Sequence, residues 1–299
     1  MDKAKLTFLG TGSAIPTARR NHPAIFVEYN GENILFDCGE GTQRQFRIAK
    51  INPCRITRIF ISHWHGDHIL GLSGLLQTLS ANGYTKDLVI CGPKGSKQKF
   101  QELVAPHLRG LAYEISVKEI KEGGVIAEKD FKIETIGVDH DCNGLNYSFT
   151  IEGRKRLDVA KLKKLGDFKG PVVGELAKGR KVKIAGKTID GSKMVYVEPE
   201  RKLSLVFDTR YKLDLKKFVK GSTILVNEAN YFDEDELARE HGHMTAMQAA
   251  GLAKDAKVDK LLLFHFSQRL EAIMKDVEKS VRKKFKESVL CRDFDSFEF

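Results

Sequence analysis

The chain has 299 residues, a formal charge of +10, and a composition that is 41% hydrophobic and 30% charged. That is the make-up of a globular protein able to bury a large core, as one α/β domain or two smaller ones. No run approaches the roughly 20 apolar residues of a membrane span, the charged start Met1-Asp2-Lys3 is not that of a signal peptide, and five scattered cysteines without a CxxC pair argue against a disulfide framework or thiolate zinc site and for a reducing cytoplasm.

Lys5–Leu9 is predicted as an apolar strand, followed by the turn Gly10-Thr11-Gly12-Ser13. Ala24–Tyr29 and Asn33–Asp37 flank the hairpin signal Asn30-Gly31. A helix is expected to begin over Gln43–Ile48 and a buried strand over Arg58–Ser62. Leu70–Ser80 carries leucines at 72, 75, 76 and 79, which is helical spacing. Leu88–Cys91 reads as a strand stopped by Gly92-Pro93, and Gly95–Val104 as a helix. Strands are expected at Tyr113–Val117, Phe131–Val138 and Asn146–Ile151.

The order then breaks. Between Gly153 and Lys187 lie twelve Lys or Arg against three Asp or Glu, a net charge of +9, among glycines at 153, 166, 170, 174, 179 and 186. This reads as an arm inserted in a sheet protein. A charge run is often only a solvated face, but nearly the whole excess of the chain concentrated here favours an anion-binding surface. Strand character returns at Ser204–Asp208, Thr223–Glu228 and Lys260–His265, with helices over Met244–Ala256 and Glu271–Phe285. Strands alternating with helices in both halves predict two mixed sheets covered by helices.

The chemistry is concentrated in His63-Trp64-His65-Gly66-Asp67-His68. His63 and His65, two apart on an extended chain, point to one side, and Gly66 lets the chain turn into the next helix. Protonated, these rings would repel; a metal ion binds them neutral. Histidine and carboxylate without thiolate suit zinc and tolerate manganese or iron. Further ligands must come from distant sequence. His140, Asp208 and His265 each sit at the C-terminal end of a buried strand, where α/β sites assemble. His22, His107 and His241 lack that placement and read as peripheral.

The segment HWHGDHILGLSGLL resembles the HxHxDH signature of metallo-β-lactamase-fold hydrolases. FLGTGSAIPTARRN, FDCGEGTQRQF, FDTR, GHMTAMQAA and FHFSQR are similar, in order, to segments of ribonuclease Z, the endonuclease that removes 3′ trailers from precursor transfer RNA. The resemblance runs from about Leu6 to Phe294. It implies a single domain over 1–299 with the four-layered αβ/βα metallo-β-lactamase sandwich of the α/β class, an exosite or flexible arm inserted at 153–187, and a homodimer. It places one metal on His63, His65 and His140 and the other on Asp67, His68 and His265, with Asp208 bridging. Two divalent ions per subunit follow, most simply Zn2+ with Mn2+ or Fe2+ possible, and no nucleotide cofactor or membrane partner. They would activate a water for in-line attack on phosphorus. Asp67 would orient that nucleophile, and His243 backed by Glu228 would protonate the leaving ribose oxygen; a purely structural part for His243 at the helix start stays open. Asp37 would support the site or serve only its turn.

For RNA, the resemblance implies contacts from Arg19, Arg20 and Asn21 and, in the arm, from Arg154, Lys155, Arg156, Lys163, Lys164, Lys169, the Gly170-Pro171 tip, Lys178, Arg180 and Lys181. The chain departs from the family pattern at Ala18 (lysine), Phe207 (glycine), Asn227-Glu228-Ala229-Asn230 (HEAT), Met244 (serine) and Leu270 (tyrosine). A hydrolase of small phosphodiesters or cyclic nucleotides would keep all seven ligands without needing the arm. An RNA-binding protein with a structural metal would not need an open two-metal site.

Overall fold

A computed structural model of the chain describes residues 3–299 apart from 167 and 185–186. Residues Lys129–Phe131 and Thr150–Arg201 form a compact unit of their own, and the remaining described residues form a larger one. The larger unit starts with β1 (Lys5–Gly10), β2 (Ala24–Tyr29) and β3 (Glu32–Phe36), an antiparallel meander. Asn30 and Gly31 both have positive φ (46° and 88°), the hairpin turn whose twist matches its flanking strands. After α1 (Thr42–Ile48) come β4 (Arg58–Phe60), α2 (Gly66–Ile69), α3 (Leu72–Ala81), β5 (Leu88–Gly92), α4 (Ser96–Leu103) and β6 (Ile115–Glu119). From β3 to β6 the pairing is parallel. The strands β7 (Val125–Ala127), β8 (Phe131–Gly137) and β9 (Leu145–Ile151) open a second sheet.

The smaller unit holds β10 (Arg154–Leu157), α5 (Val159–Leu165), α6 (Pro171–Ala177), β11 (Lys181–Ile184), β12 (Lys187–Asp190) and β13 (Val195–Glu198). Here the structure is more regular than glycine content predicts: β10 pairs antiparallel with β13, and β11 with β12. The elements continue past Lys187 because the partner of β10 lies at Val195–Glu198. Gly186 and Asp167 of the basic segment lie outside the described residues.

The chain then runs through β14 (Arg201–Val206), α7 (Asp214–Phe218), β15 (Ile224–Glu228), α8 (Asp235–Glu240), α9 (Ala246–Ala256), β16 (Lys260–Phe264), α10 (Met274–Lys284), β17 (Ser288–Leu290) and β18 (Ser296–Glu298). Among the described residues the larger unit's sheets are ordered β18-β1-β2-β3-β4-β5-β6 and β17-β16-β15-β14-β9-β8-β7. No described helix is long and apolar enough to cross a membrane.

Strand alternation sorts the core into layers. Leu9, Phe26, Leu35, Ile59 and Ile61 pack on Phe46 of α1 and Leu72, Leu75, Leu76 and Leu79 of α3. Their neighbours Phe36 and Phe60 turn the other way, with ring centroids 5.6 and 5.4 Å from Tyr147 of β9, while Phe8 meets Phe264 of β16 at 6.1 Å. On the far side Val206, Leu225, Leu261 and Leu263 pack on Ala249, Ala250 and Ala253 of α9 and Val277 and Val281 of α10. Helix, sheet, sheet, helix is the four-layered sandwich. Aromatic side chains pack between the sheets, so Phe60→Ala costs about 3–5 kcal/mol.

Small boundary differences have local causes. Tyr113, predicted to start a strand, instead packs against Tyr84 and donates to Leu76 O, so β6 begins at Ile115. Thr245 caps α9 with a full capping box to Gln248, which leaves Met244 outside the helix. A 3₁₀ turn over Gln268–Ala272 replaces the first turn predicted for α10.

Candidate metal centre

The site forms where strands end. Ser62 and His63 leave β4 and pair with the chain before β9: Leu145 N donates to Ser62 O at 2.8 Å, and His63 bridges Gly144. Trp64 alternates into the core and donates to Ser96 Oγ at 2.8 Å, so His63 and His65 share the opposite side. His65 is the extended residue before α2, whose single turn carries Asp67 and His68. That turn lies against the loop after β3, where Cys38 N donates to His68 O. Only glycine fits there: a Cβ on Gly39 would lie 2.3 Å from Asp67 O, and one on Gly71 would lie 2.0 Å from Gly39 O.

His140 follows β8, Asp208 follows β14 and His265 follows β16. The side chains converge in two groups. His65 Nδ1 stands 3.1 Å from His63 Nε2 and 3.2 Å from His140 Nε2. His68 Nε2 stands 3.2 Å from His265 Nε2, and Asp67 Oδ2 lies 3.4 Å from both. Asp208 joins them, with Oδ1 3.3 Å from His265 Nε2 and Oδ2 3.5 Å from His68 Nε2 and 3.8 Å from His63 Nε2. The ligand atoms of each group lie within 4.8 Å of one another, the arrangement of a divalent-metal site.

The back sides of the rings fix which nitrogen faces inward. His68 Nδ1 donates to Asp37 Oδ2 at 2.7 Å, and His140 Nδ1 donates to Gly242 O at 2.9 Å. Both leave Nε2 with a lone pair for a ligand. Asp37 is fully buried and also accepts from Ser62 N and Ser62 Oγ, both at 2.7 Å. Asp37 and His265 hold positive φ (57° and 59°), a conformation costing about 1–3 kcal/mol for non-glycine residues and concentrated at functional sites.

Electrostatics favour a cation. Burial and the neighbouring His68 ring hold His63 well below its ordinary pKa, and burial with His140 lowers His65, which favours the neutral form of each ring. Burial would also depress His68, but Asp67, Asp208 and Asp37 outweigh it and drive the ring well up. Burial raises Asp67 and Asp208, yet the surrounding histidines bring both carboxyls below their usual range. Carboxylates thus converge on ring nitrogens that need their lone pairs free. Asp208 Oδ1, moreover, is buried without a hydrogen bond. A divalent cation answers both, so the residues fit the metals the motif implies.

Beside this centre Glu228 Oε1 and Oε2 each lie 3.1 Å from His243 Nδ1. Glu228 also accepts from Thr209 N, Met244 N and Asn230 N at 3.0, 3.1 and 3.4 Å. Glu228, His243 and His265 also lie close enough to form a third possible ligand group, but those bonds already engage the Glu228 oxygens and place them to orient His243. Burial lowers His243, but Glu228 and Asp208 overcome it and push the ring up to about 9. The departures Asn227 and Met244 meet each other, Asn227 Nδ2 lying 3.6 Å from Met244 Sδ. Phe207 packs between Tyr147 and Phe264, and Leu270 joins the core under α9.

The centre opens into a cavity of about 240 Å³ that also exposes Asn230, Tyr231 and His241. His241, predicted peripheral, lines it, with its ring 6.2 Å from Tyr231 and 13° from parallel. Nothing local marks His241; only the fold of the loop after α8 brings it here. His22 is buried, its Nε2 3.3 Å from Ala14 O, and belongs to neither ligand group.

Among the expected RNA contacts, the structure turns Arg20 inward and gives Asn21, Arg154 and Arg156 partners within the chain. Arg20 is buried, donates to Thr11 Oγ1 and Cys291 O at 2.7 and 2.6 Å, and lies over the Phe266 ring, so its charge is spent inside. Asn21 donates to Glu40 O at 2.7 Å and braces its turn. Arg154 and Arg156 both pair with Glu198 across the β10–β13 ribbon, which makes them ribbon residues first. Arg19, Lys155, Lys163, Lys164, Lys169, Gly170, Pro171, Lys178, Arg180 and Lys181 are exposed. Lys178 and Arg180 share Glu175 at 2.9 and 2.7 Å, surface pairs that cost little to exchange for phosphate.

Residues 4–158, about half of the chain, match the family model described as Anti-Pycsar protein Apyc1. The chain is 37% identical to ribonuclease Z of Methanothermobacter thermautotrophicus over 89% of this chain and 87% of that protein. It is 36% identical to ribonuclease Z of Oceanobacillus iheyensis over 98% and 99% of the two chains. Among solved structures it is similar to the short form of human tRNase Z, with TM-score 0.71 and 26% identity over 98% of both chains. The metallo-β-lactamase-fold protein YhfI of Bacillus subtilis shares the fold at TM-score 0.73 with 17% identity, over the full length of both chains.

Proposed function

We propose, from the premise that this chain belongs to the ribonuclease Z family, that its strand-end centre is the catalytic site of a transfer RNA 3′-processing endonuclease. The protein is an endoribonuclease that hydrolyses a phosphodiester to remove the 3′ trailer of precursor transfer RNA, leaving a 3′-hydroxyl on the transfer RNA and a 5′-phosphate on the trailer. The observation that carries this is the convergence of a three-histidine group and a histidine–aspartate group, 3.8 Å apart at His63 Nε2 and Asp208 Oδ2, beside a cavity lined by His243, whose Nδ1 faces Glu228.

His63, His65 and His140 would hold one divalent ion, and Asp67, His68 and His265 the other, with Asp208 between them. Zinc suits this donor set, and manganese or iron is compatible with it. When bound, such ions supply Lewis acidity that makes water nucleophilic near neutral pH and offsets phosphate charge. Asp67, its carboxylate facing the cavity, orients the attacking water. His243, protonated and aligned by Glu228, delivers a proton to the departing 3′ oxygen of the transfer RNA body. Asp37 keeps His68 in the ligating tautomer. The exposed lysines of the 153–187 exosite grip phosphates without reading sequence, and Tyr231 offers a flat ring to a base beside the scissile bond. The working form is a cytoplasmic homodimer, which sedimentation of the purified protein tests.

Incubation of end-labelled precursor transfer RNA with and without a chelator tests the reading. A chelator-sensitive cut just after the discriminator base is expected; cleavage indifferent to chelation would overturn it. A second reading, hydrolysis of a small phosphodiester, is favoured by the modest cavity alone. Deleting 153–187 separates the two, because small-diester cleavage survives while transfer RNA processing collapses.

A further inference from the structure

Arg210 follows the shared ligand Asp208 by two residues, and neither the metal groups nor the His243–Glu228 couple includes it. A guanidinium has five N–H donors in a rigid planar fork. Nε donates to Arg239 O at 2.7 Å. Nη1 donates to Asp139 O at 3.4 Å and Asp139 Oδ1 at 3.3 Å. Nη2 donates to Asp141 Oδ1 at 3.3 Å and Glu240 O at 3.4 Å. Every donor is engaged. The acceptors come from two loops only, the residues flanking His140 and the last carbonyls of α8.

Those two loops carry the parts whose relative placement matters most. Gly242, just past α8, accepts from His140 Nδ1, and the next residue is His243. The approach is tight, since a Cβ on Gly242 would lie 2.5 Å from His140 Nδ1. The backbone of the Asp208 loop meets both sides: Arg210 N donates to Asp139 O at 2.8 Å, Asp139 N to Thr209 Oγ1 at 2.9 Å, and Thr209 N to Glu228 Oε1 at 3.0 Å. Arg239 O also accepts from Gly242 N at 3.3 Å, so the fork reinforces a helix end that the backbone already caps.

We propose that Arg210 is a positioning residue, which clamps the His140 loop to the α8 end and so fixes the His140 ligand and the His243 proton donor in register. This rests on the catalytic reading of the site given above. Without the clamp, the Gly242 carbonyl drifts from His140 Nδ1. The ring then loses its fixed tautomer, and His243 moves with the same loop. Lysine cannot substitute, because three donors on one nitrogen cannot span acceptors on two loops.

The test uses the full-length protein, with Arg210→Ala and Arg210→Lys. Zinc affinity is read by competition with a chromophoric chelator, and kcat and KM on precursor transfer RNA are measured with and without added guanidinium ion. Both variants are expected to lose roughly 10–100-fold in affinity for one zinc equivalent. Each should also lose kcat with little change in KM, and guanidinium should restore kcat in Arg210→Ala only. Wild-type zinc affinity and kcat in both variants would overturn the proposal. So would a raised KM with a shallower salt dependence and unchanged zinc affinity, which is the signature of a phosphate contact. Should Arg210→Ala fail to fold, Arg210→Lys decides by the same readings. Were wild-type protein to bind zinc yet spare precursor transfer RNA, the substrate reading would fall, while the zinc measurement would still judge the clamp.

Discussion

The histidine–aspartate centre and the basic 153–187 segment use charge in opposite ways. Around the centre the supporting carboxylates are buried and held by named partners: Asp37 by Ser62 and His68, Glu228 by three backbone N–H groups and His243. In the basic segment most of the described lysines are exposed, and Lys178 and Arg180 pair with Glu175 at the surface. Chemistry needs positions held to a fraction of an ångström, which only packed strand ends supply. Gripping a polyanion needs charge that can leave one partner for another, which a solvated surface supplies.

That contrast is sharpest at Asp208. Asp208→Ala removes the carboxylate proposed to stand between the two metals, and a loss of several kcal/mol of transition-state stabilisation corresponds to about 10³-fold or more in kcat; single-turnover cleavage of precursor transfer RNA measures it, and a loss under tenfold would break the contrast. His243→Ala is expected to lower kcat about 10²–10⁴-fold while leaving bound zinc unchanged, as metal analysis can check.

Glu228→Gln tests the same couple by pH. Glu228 is the main group raising His243, so its loss lowers the imidazole pKa and moves the alkaline fall of kcat to lower pH; an unmoved limb would exclude His243 as the acid. The linkage has the same sign. His243 sits at about 9 in the folded metal-free protein against an ordinary 6.5, so its contribution to stability is complete below the lower value and lost as pH rises through the higher one. Thermal melts of chelated protein at the two extremes should show this difference in wild type and a smaller one in Glu228→Gln, where Asp208 still raises His243.

Asp37→Ala, which frees the back of His68, should weaken zinc binding about 10–100-fold in a chelator competition. On the other side of the comparison the effects are smaller and sensitive to salt. Lys163→Ala should weaken precursor binding modestly and reduce the slope of log K against log salt by about 1 if that lysine meets a phosphate. Arg154→Ala should instead loosen the β10–β13 ribbon, read as faster amide exchange in Arg154–Leu157.

Much of the site was legible because its ligands announce themselves locally. His63, His65, Asp67 and His68 stand within six residues, and His140, Asp208 and His265 each end an apolar strand. The two sheets were legible for the same reason, since apolar runs and hairpin signals are short-range. What local sequence did not reveal is where certain single charges go. Arg20 sits beside exposed Arg19 in sequence, yet folds under to Cys291 O, 271 residues away. Arg154 and Arg156 look like free cations until Glu198 arrives across the ribbon. His241 gains its place in the cavity from the loop after α8.

By itself, then, the chain of residues determined the metal-binding chemistry, the strand ends that carry it and the concentration of positive charge. Tertiary structure alone decided the partner of each charged group, from Asp37 behind His68 to the five acceptors around Arg210. The reason is physical. Strand and turn preferences are set by neighbours a few residues apart, whereas the free energy of a charge depends on whatever the fold brings within a few ångströms of it.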